Sequence, residues 1–120
     1  MVLAKKELFE QESQVRANLF KALAHPARLQ ILKYLAQTRI CLSGDLSEMF
    51  PLTRTTLNQH MNELKNAGLI EGHEKDGKIL YCLVPDKIRE MNIILSQFSC
   101  DMELPKGFCC EYNSYKISEV

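Results

Sequence analysis

The sequence predicts a mainly α-helical domain that carries one small two-stranded β-wing. Apolar residues recur at helical spacing through much of the chain, most clearly over residues 5–23 and 85–100. Two short apolar or β-branched runs instead flank the turn pair Asp76-Gly77, which is a strong hairpin signal. The composition, 120 residues of which 46% are apolar and 25% charged, is that of one globular domain with a modest core.

The first two helices follow from apolar periodicity. Residues 5–23 form an amphipathic pattern, and Pro26 suits the first position of a second helix. The apolar positions near helical spacing are Leu8, Val15, Leu19 and Leu23 in the first helix, and Leu29, Leu32 and Leu35 in the second.

A helix-turn-helix is predicted from the capping residues that follow. Ser43 precedes a short helix that Pro51 closes, and Thr53 caps a longer helix that ends at Gly68. Only a short break separates these two helices, which is the arrangement of a helix-turn-helix.

After the hairpin, a last helix is predicted from Pro85. Its apolar residues alternate steps of three and four, the spacing of a helix-packing seam, and so much apolar surface on a terminal helix indicates a partner chain. These residues are Ile88, Met91, Leu95 and Phe98. The whole order of elements is that of a winged helix-turn-helix domain over residues 1–104, followed by a C-terminal tail over residues 105–120.

The residues also resemble a known family over residues 17–84. The stretch FKALAHPARLQILKYL, the helix TLNQHMNELKNAGLI with its histidine, and the tyrosine after the wing are similar to those of the ArsR/SmtB metal-responsive repressors. The resemblance implies a homodimeric transcriptional repressor, joined through its first and last helices. Such a repressor leaves double-stranded operator DNA when an inducer binds.

Charge and composition limit the other functions. The formal net charge is zero, which gives no general attraction to nucleic acid, so DNA binding must come from a local pattern. The N-terminus has no apolar signal-peptide core, and no run approaches the roughly 18 apolar residues of a membrane span. We therefore expect a cytoplasmic protein with no membrane partner.

The predicted helix after Thr53 has a face suited to reading DNA. On a helical wheel Leu57, Met61 and Leu64 fall on one side, and uncharged amide and hydroxyl side chains fall on the other. Such side chains pair with base edges, whereas Arg and Lys bind guanine or phosphates. The predicted DNA contacts are Thr53, Arg54, Thr55, Asn58, Gln59 and Asn62 on the helix, and Lys75 and Lys78 on the wing.

The three histidines are scattered and show no metal-ligand spacing. His60 lies on the flank of the apolar face, so we predict a structural side chain bonded to backbone, with a base contact as the alternative. His25 precedes Pro26 at a helix boundary, and His73 lies at the wing.

Of two inducer sites that are common in the family, one is absent or broken here and the other is disfavoured. One uses two cysteines at the start of the third helix, where this sequence has only Cys41, displaced from the expected positions. The other uses Asp and His on the last helix for zinc, and residues 85–100 contain no histidine. Zinc sensing of that type is disfavoured, and no structural zinc is expected.

The remaining candidate site is a group of thiols at the C-terminal end, Cys100, Cys109 and Cys110. Thiolates select soft, thiophilic ions, and trivalent arsenic and antimony favour three sulfurs. Adjacent cysteines are poorly placed for a mutual disulfide, because their Cα atoms lie about 3.8 Å apart. The sequence therefore predicts an arsenic-responsive repressor whose inducer, As(III) or Sb(III), binds these three thiols.

Several alternatives stay open. Five cysteines at irregular spacing do not indicate a disulfide framework, and Cys82 is predicted to be a buried hydrophobic residue. Cys41 could replace Cys100 as the third ligand. A thiol redox or persulfide sensor on the same fold would need two cysteines close enough to bridge.

Two further classes of protein have less support from the sequence. An enzyme is disfavoured, since no nucleophile is paired with a base and the sequence has no glycine-rich phosphate loop. A protein-interaction module without DNA binding would fit the zero net charge.

Overall fold

The computed structural model describes residues 9–38, 42–43 and 49–110. The elements in these ranges are α1 (Gln11–Leu23), α2 (Pro26–Thr38), β1 (Leu42–Ser43), α3 (Arg54–Asn66), β2 (Ile70–Lys75), β3 (Lys78–Leu83) and α4 (Pro85–Asp101). The predicted, mainly helical fold with a hairpin wing is confirmed. The short helix predicted between Ser43 and Pro51 lies mostly outside the described residues.

The wing is an antiparallel hairpin of β2 and β3, in which Lys75 and Lys78 face each other next to the turn. Asp76 and Gly77 form this turn with φ angles of 52° and 76°, the left-handed conformation that a two-residue hairpin loop favours. Strand β1 adds a third strand on the other side of β3. The sequence did not indicate it, because two residues are too few to show a periodicity.

The core lies between α2, α3 and the start of β2. Its most deeply buried side chains are Ile31, Leu35, Met61, Leu64 and Leu69. The apolar face predicted for α3 is confirmed. The helix predicted from Leu29, Leu32 and Leu35 is confirmed as α2. Leu29 itself is 52% exposed, because the buried stripe follows steps of four through Ala27, Ile31 and Leu35.

Helix α3 ends at Asn66, and the predicted stop residue Gly68 follows two positions later with a φ of 80°. The amide of Leu69 donates to the carbonyl of Leu64 at 3.1 Å, and the amide of Gly68 donates to the carbonyl of Lys65 at 2.9 Å. These are the paired bonds of a Schellman motif. Since Leu64 and Leu69 are both buried, the motif anchors the end of α3 in the core and sets the direction of β2.

Helix α4 packs lightly on the rest of the chain. None of its residues is buried, although Ile88 and Met91 lie partly against the core. Leu95 and Phe98, which complete the predicted seam, are 38% and 39% exposed. Much of the apolar surface of α4 is therefore left to solvent in a single chain.

Candidate functional site

The start of α3 is held by the capping residue that the sequence predicted. The side-chain oxygen of Thr53 accepts a hydrogen bond from the amide of Thr56 at 3.2 Å, and the two threonine hydroxyls are 3.0 Å apart. Such a cap satisfies one of the amides that a helix leaves unpaired at its N-terminus. The hydroxyl of Thr53, a predicted DNA contact, is therefore already engaged in capping α3.

The other predicted residues of α3 are presented to solvent. Arg54, Thr55, Asn58, Gln59 and Asn62 are all exposed, on the side opposite the buried face. On the wing, Lys75 and Lys78 are exposed at the turn. The polar face predicted from the helical wheel is therefore exposed, as expected. Its contact with DNA stays a prediction.

A groove of about 520 Å³ runs between α3 and the wing. Its lining residues are Arg54, Leu57, Asn58, Met61, Asn62 and Lys65 from α3, with Gly77, Lys78, Ile79 and Tyr81 from the wing. We call it the helix–wing groove. No acidic side chain of the described residues lines it, so three basic residues give it a positive potential.

The groove divides the predicted DNA contacts into two sets. Four of them line it together, namely Arg54, Asn58, Asn62 and Lys78, whereas Thr53, Thr55, Gln59 and Lys75 do not. Lys65 and Tyr81 line the groove but were not among the predicted contacts. A signal for Lys65 was present, because Arg54, Asn58, Asn62 and Lys65 follow steps of four, four and three along one helical stripe.

Behind the polar face, His60 fixes α3 to α2. It is only 7% exposed, and its Nδ1 accepts a hydrogen bond from Nε of Arg28 at 3.1 Å. The predicted structural role agrees with this contact, but the partner is an arginine side chain and not backbone. The imidazole ring of His25 lies 4.1 Å from that of His60, measured between ring centroids.

Arg28 joins three elements at this point. Its Nη1 donates to the carbonyl oxygens of Lys21 and Ala22, in the last turn of α1, at 3.2 Å and 3.3 Å. These are carbonyls that a helix leaves without an internal partner at its C-terminus. One guanidinium group therefore holds the end of α1, the start of α2 and the middle of α3 together.

The C-terminal thiols lie on the surface. Cys100 is exposed in the last turn of α4, and Cys109 and Cys110 are exposed in the segment beyond it. A turn separates them, in which the amide of Phe108 donates to the carbonyl of Pro105 at 2.9 Å. The described residues contain no cluster of three or more His, Cys, Asp or Glu side chains arranged to hold a metal ion. The three thiols are close along the chain but are not assembled into one site.

Cys82 differs from the prediction of a simple buried hydrophobic residue. It is half-buried in β3 and disulfide-bonded. Its partner is none of Cys100, Cys109 and Cys110, which are thiols. Cys41, the alternative third ligand, lies outside the described residues.

The end of α4, next to Cys100, is attached to α1 by Arg16. Nη1 of Arg16 contacts Oδ2 of Asp101 at 2.7 Å, and Nη2 contacts Oε1 of Glu12 at 2.9 Å. The guanidinium carbon also lies 5.6 Å from the centre of the Phe98 ring, within the range of a cation–π interaction. We call this set of contacts the Arg16 clamp.

The described helices pack around one core, carry an antiparallel hairpin wing and present the polar face of α3 to solvent. This architecture is that of a DNA-binding transcriptional regulator of the winged helix-turn-helix class. Residues 25–71 match the family model described as "Bacterial regulatory protein, arsR family". The chain belongs to this family. No helix in the part of the chain that the structure describes has the length and hydropathy to cross a membrane.

Curated relatives and solved structures agree with this class. The HTH-type transcriptional regulator MJ1325 of Methanocaldococcus jannaschii is 33% identical over 76 residues, which cover 62% of this chain and 84% of that protein. The biofilm growth-associated repressor of Agrobacterium fabrum is 32% identical over 94 residues, covering 78% and 80%. The structure of HlyU from Vibrio cholerae superposes with a TM-score of 0.59 at 31% identity, covering 77% of this chain and 99% of that one.

Proposed function

We propose that this protein is a homodimeric repressor that binds operator DNA through α3 and the wing, and that trivalent arsenic or antimony releases it by binding C-terminal thiolates. The observation that carries the proposal is the position of the thiols. Cys100 lies in the last turn of α4, and Cys109 and Cys110 follow after a single turn of the chain, all exposed.

The donor set suits the proposed inducer. Three thiolates from Cys100, Cys109 and Cys110 would supply the three soft ligands that trivalent arsenic and antimony favour. The same set lacks the nitrogen and carboxylate donors of the family's zinc site, so no structural zinc is proposed. Because the thiols are exposed and separate, the inducer would have to draw the tail and the end of α4 together.

The described contacts provide a route from this site to α3. Cys100 precedes Asp101, which the Arg16 clamp ties to α1. The last turn of α1 is bonded to Arg28, which is in turn bonded to His60 on α3. A coupling free energy of about 1–3 kcal/mol would weaken DNA binding about 5-fold to 150-fold, and DNA would weaken inducer binding by the same factor.

The dimer is proposed from α4 and α1. Helix α4 has no buried residue, and Leu95 on α4 and Val15 on α1 are 38% and 44% exposed. A second copy of the chain would cover these apolar side chains. It would also place two α3 helices about 34 Å apart, one turn of duplex, to read a two-fold symmetric operator.

The test is fluorescence anisotropy of the protein on a duplex from the promoter of its own gene, titrated with arsenite, antimonite, zinc and hydrogen peroxide. Release by arsenite or antimonite that disappears in Cys109→Ser/Cys110→Ser supports the proposal. Cys100→Ser alone asks whether Cys100 is the third ligand. Equal arsenite affinity of the free and the DNA-bound protein would refute the proposed release.

A thiol redox sensor is a second candidate, favoured by the disulfide bond of Cys82 in β3. Peroxide would oxidise two thiols to a disulfide and be reduced to water, and the bond would alter the strand that carries the wing. Release by peroxide alone, abolished by Cys82→Ser and unaffected by Cys109→Ser/Cys110→Ser, would favour this candidate over metalloid sensing.

A further inference from the structure

The geometry points to the helix–wing groove as the binding site for the sugar–phosphate backbone of one DNA strand, with Lys65 as a phosphate contact and Asn58 and Asn62 as backbone contacts. This inference rests on the proposed DNA-binding function. It reassigns Asn58 and Asn62, which the sequence placed among the base readers, and it adds Lys65, which was not among the predicted contacts.

Charge is the first argument. Arg54, Lys65 and Lys78 line the groove, and no acidic residue of ranges 9–38, 42–43 and 49–110 does, in a chain whose formal net charge is zero. Arg54 and Lys65 are eleven positions apart in α3, a rise of about 16 Å along the helix axis. A DNA strand carries one phosphate per about 3.4 Å of axis. The basic residues are thus spread over a length that presents several phosphates.

The apolar part of the groove is the second argument. A nucleic-acid backbone alternates charged phosphates with less polar sugars. The groove likewise combines basic and amide side chains with an apolar one, Ile79, which is 49% exposed on the wing. The hydroxyl of Tyr81 and the amides of Asn58 and Asn62 are the kinds of donor that bind phosphate oxygens. A sugar packed on Ile79 would remove from water an apolar side chain that the chain itself leaves exposed.

The shape of the wing depends on a glycine opposite Tyr81. Gly72 pairs with Tyr81 across the hairpin. A Cβ atom at Gly72 would lie 3.1 Å from Cγ2 of Ile79 and 3.4 Å from Cε1 of Tyr81. The absence of a side chain at residue 72 therefore lets Ile79 and Tyr81 lie across the hairpin, where they line the groove.

The third argument is the division of α3 into two stripes. Asn58 and Asn62 belong to the stripe that faces the wing, whereas Thr55 and Gln59 are exposed and lie outside the groove. A strand held between α3 and the wing leaves Thr55 and Gln59 to reach base edges in the adjoining groove of the duplex. Affinity and sequence preference would thus come from neighbouring stripes of one helix.

The test uses anisotropy with the promoter duplex and with a scrambled duplex of equal length, over a series of salt concentrations. Lys65→Gln should lower affinity for both duplexes by the same factor and reduce the slope of log K against log salt by about one. Lys87→Gln, a lysine on α4 outside the groove, is the matched control and should leave the slope unchanged.

A second pair of variants tests the division of α3. Gln59→Ala should reduce the ratio of promoter to scrambled affinity, whereas Asn62→Ala should lower both affinities and keep their ratio. An unchanged salt slope in Lys65→Gln, or a loss of discrimination in Asn62→Ala alone, overturns the inference. If wild type binds the promoter duplex and arsenite releases it, either of these variant results overturns only the groove assignment. If wild type binds neither duplex, the proposed function fails as well.

Discussion

Arg28 donates a hydrogen bond from Nε to Nδ1 of His60, thirty-two residues further along the chain, at 3.1 Å. Because Nδ1 accepts this bond, the ring is neutral and carries its proton on Nε2. Nε2 is buried and has no hydrogen-bond partner among the described residues. The contact joins the buried side of α3 to the rest of the domain, and it requires an unprotonated Nδ1.

Acid should therefore destabilise the protein through His60. Burial lowers its pKa from the ordinary 6.5, and electrostatic repulsion from the neighbouring His25 and Arg28 lowers it further, while Glu63 opposes them. As the pH falls below about 6.5, the unfolded chain takes up this proton before the folded chain does. The contribution to the free energy of unfolding is complete above that pH and is lost as the pH falls through the lowered pKa of the folded state.

Urea unfolding from about pH 8 to about pH 5 measures this loss. His60→Asn is the control, because the amide oxygen of Asn can accept the bond from Arg28 but does not titrate. The variant should be less stable at neutral pH and should show a weaker decline in acid. Identical pH slopes for wild type and variant would contradict the role given to His60.

The wing turn should tolerate little change at Gly77. Its φ is 76°, and an added Cβ would have no atom within 4 Å, so the whole cost of Gly77→Ala is that of the left-handed backbone. We expect a loss of about 1–2 kcal/mol in the free energy of unfolding. Asp76→Asn, at the other left-handed position of the turn, should be nearly neutral because Asn tolerates this conformation. Equal losses in the two variants would show that the backbone argument is wrong.

The Arg16 clamp should contribute little to the free energy of unfolding and more to the coupling between inducer binding and DNA release. Asp101 is 57% exposed while the Arg16 side chain is 12% exposed, so solvent screens the pair. A double-mutant cycle of Arg16→Met and Asp101→Asn should give a coupling of about 0.5–1 kcal/mol in urea unfolding. Asp101→Asn should also bind arsenite as wild type does but lose part of the DNA release. Full release in this variant would remove the clamp from the proposed route.

A charge placed in the apolar seam of α4 should weaken the proposed dimer. Leu95→Glu would place a carboxylate in the proposed dimer interface, where burial of an unpaired charge costs several kcal/mol. We expect the dimer dissociation constant to rise at least about 100-fold, as measured by sedimentation equilibrium, with a matching loss of operator affinity. Gln97→Glu, which adds the same charge at an exposed position of α4, is the control. A dimeric Leu95→Glu protein would place the interface elsewhere.

The sequence predicted those features that depend on neighbouring residues. The cap at Thr53, the stop at Gly68, the turn at Asp76 and Gly77 and the buried face of α3 were all found where they were expected. Each depends on an interaction that spans only a few residues, so the local pattern was sufficient.

Features that depend on distant residues were missed or misassigned. The partner of His60 is Arg28, which belongs to another helix, and β1 exists only through its pairing with β3. Leu29 has the residue type of a core position but lies off the stripe that α3 covers. Lys65 and Tyr81 share a groove only because the wing folds back along α3. The sequence contained these residues without showing which of them would meet.

The position of the basic residues also affects how the protein would approach DNA. Of the eleven Lys and Arg residues in the described ranges, three line the helix–wing groove, and the other eight lie outside it together with ten Asp and Glu residues. Positive charge is thus grouped at the groove in a chain whose formal net charge is zero. Near a duplex, this group of charges would favour orientations in which the groove faces the DNA. Without a net charge the attraction would act only over a short distance, so the protein would be oriented close to DNA without being drawn to it from afar.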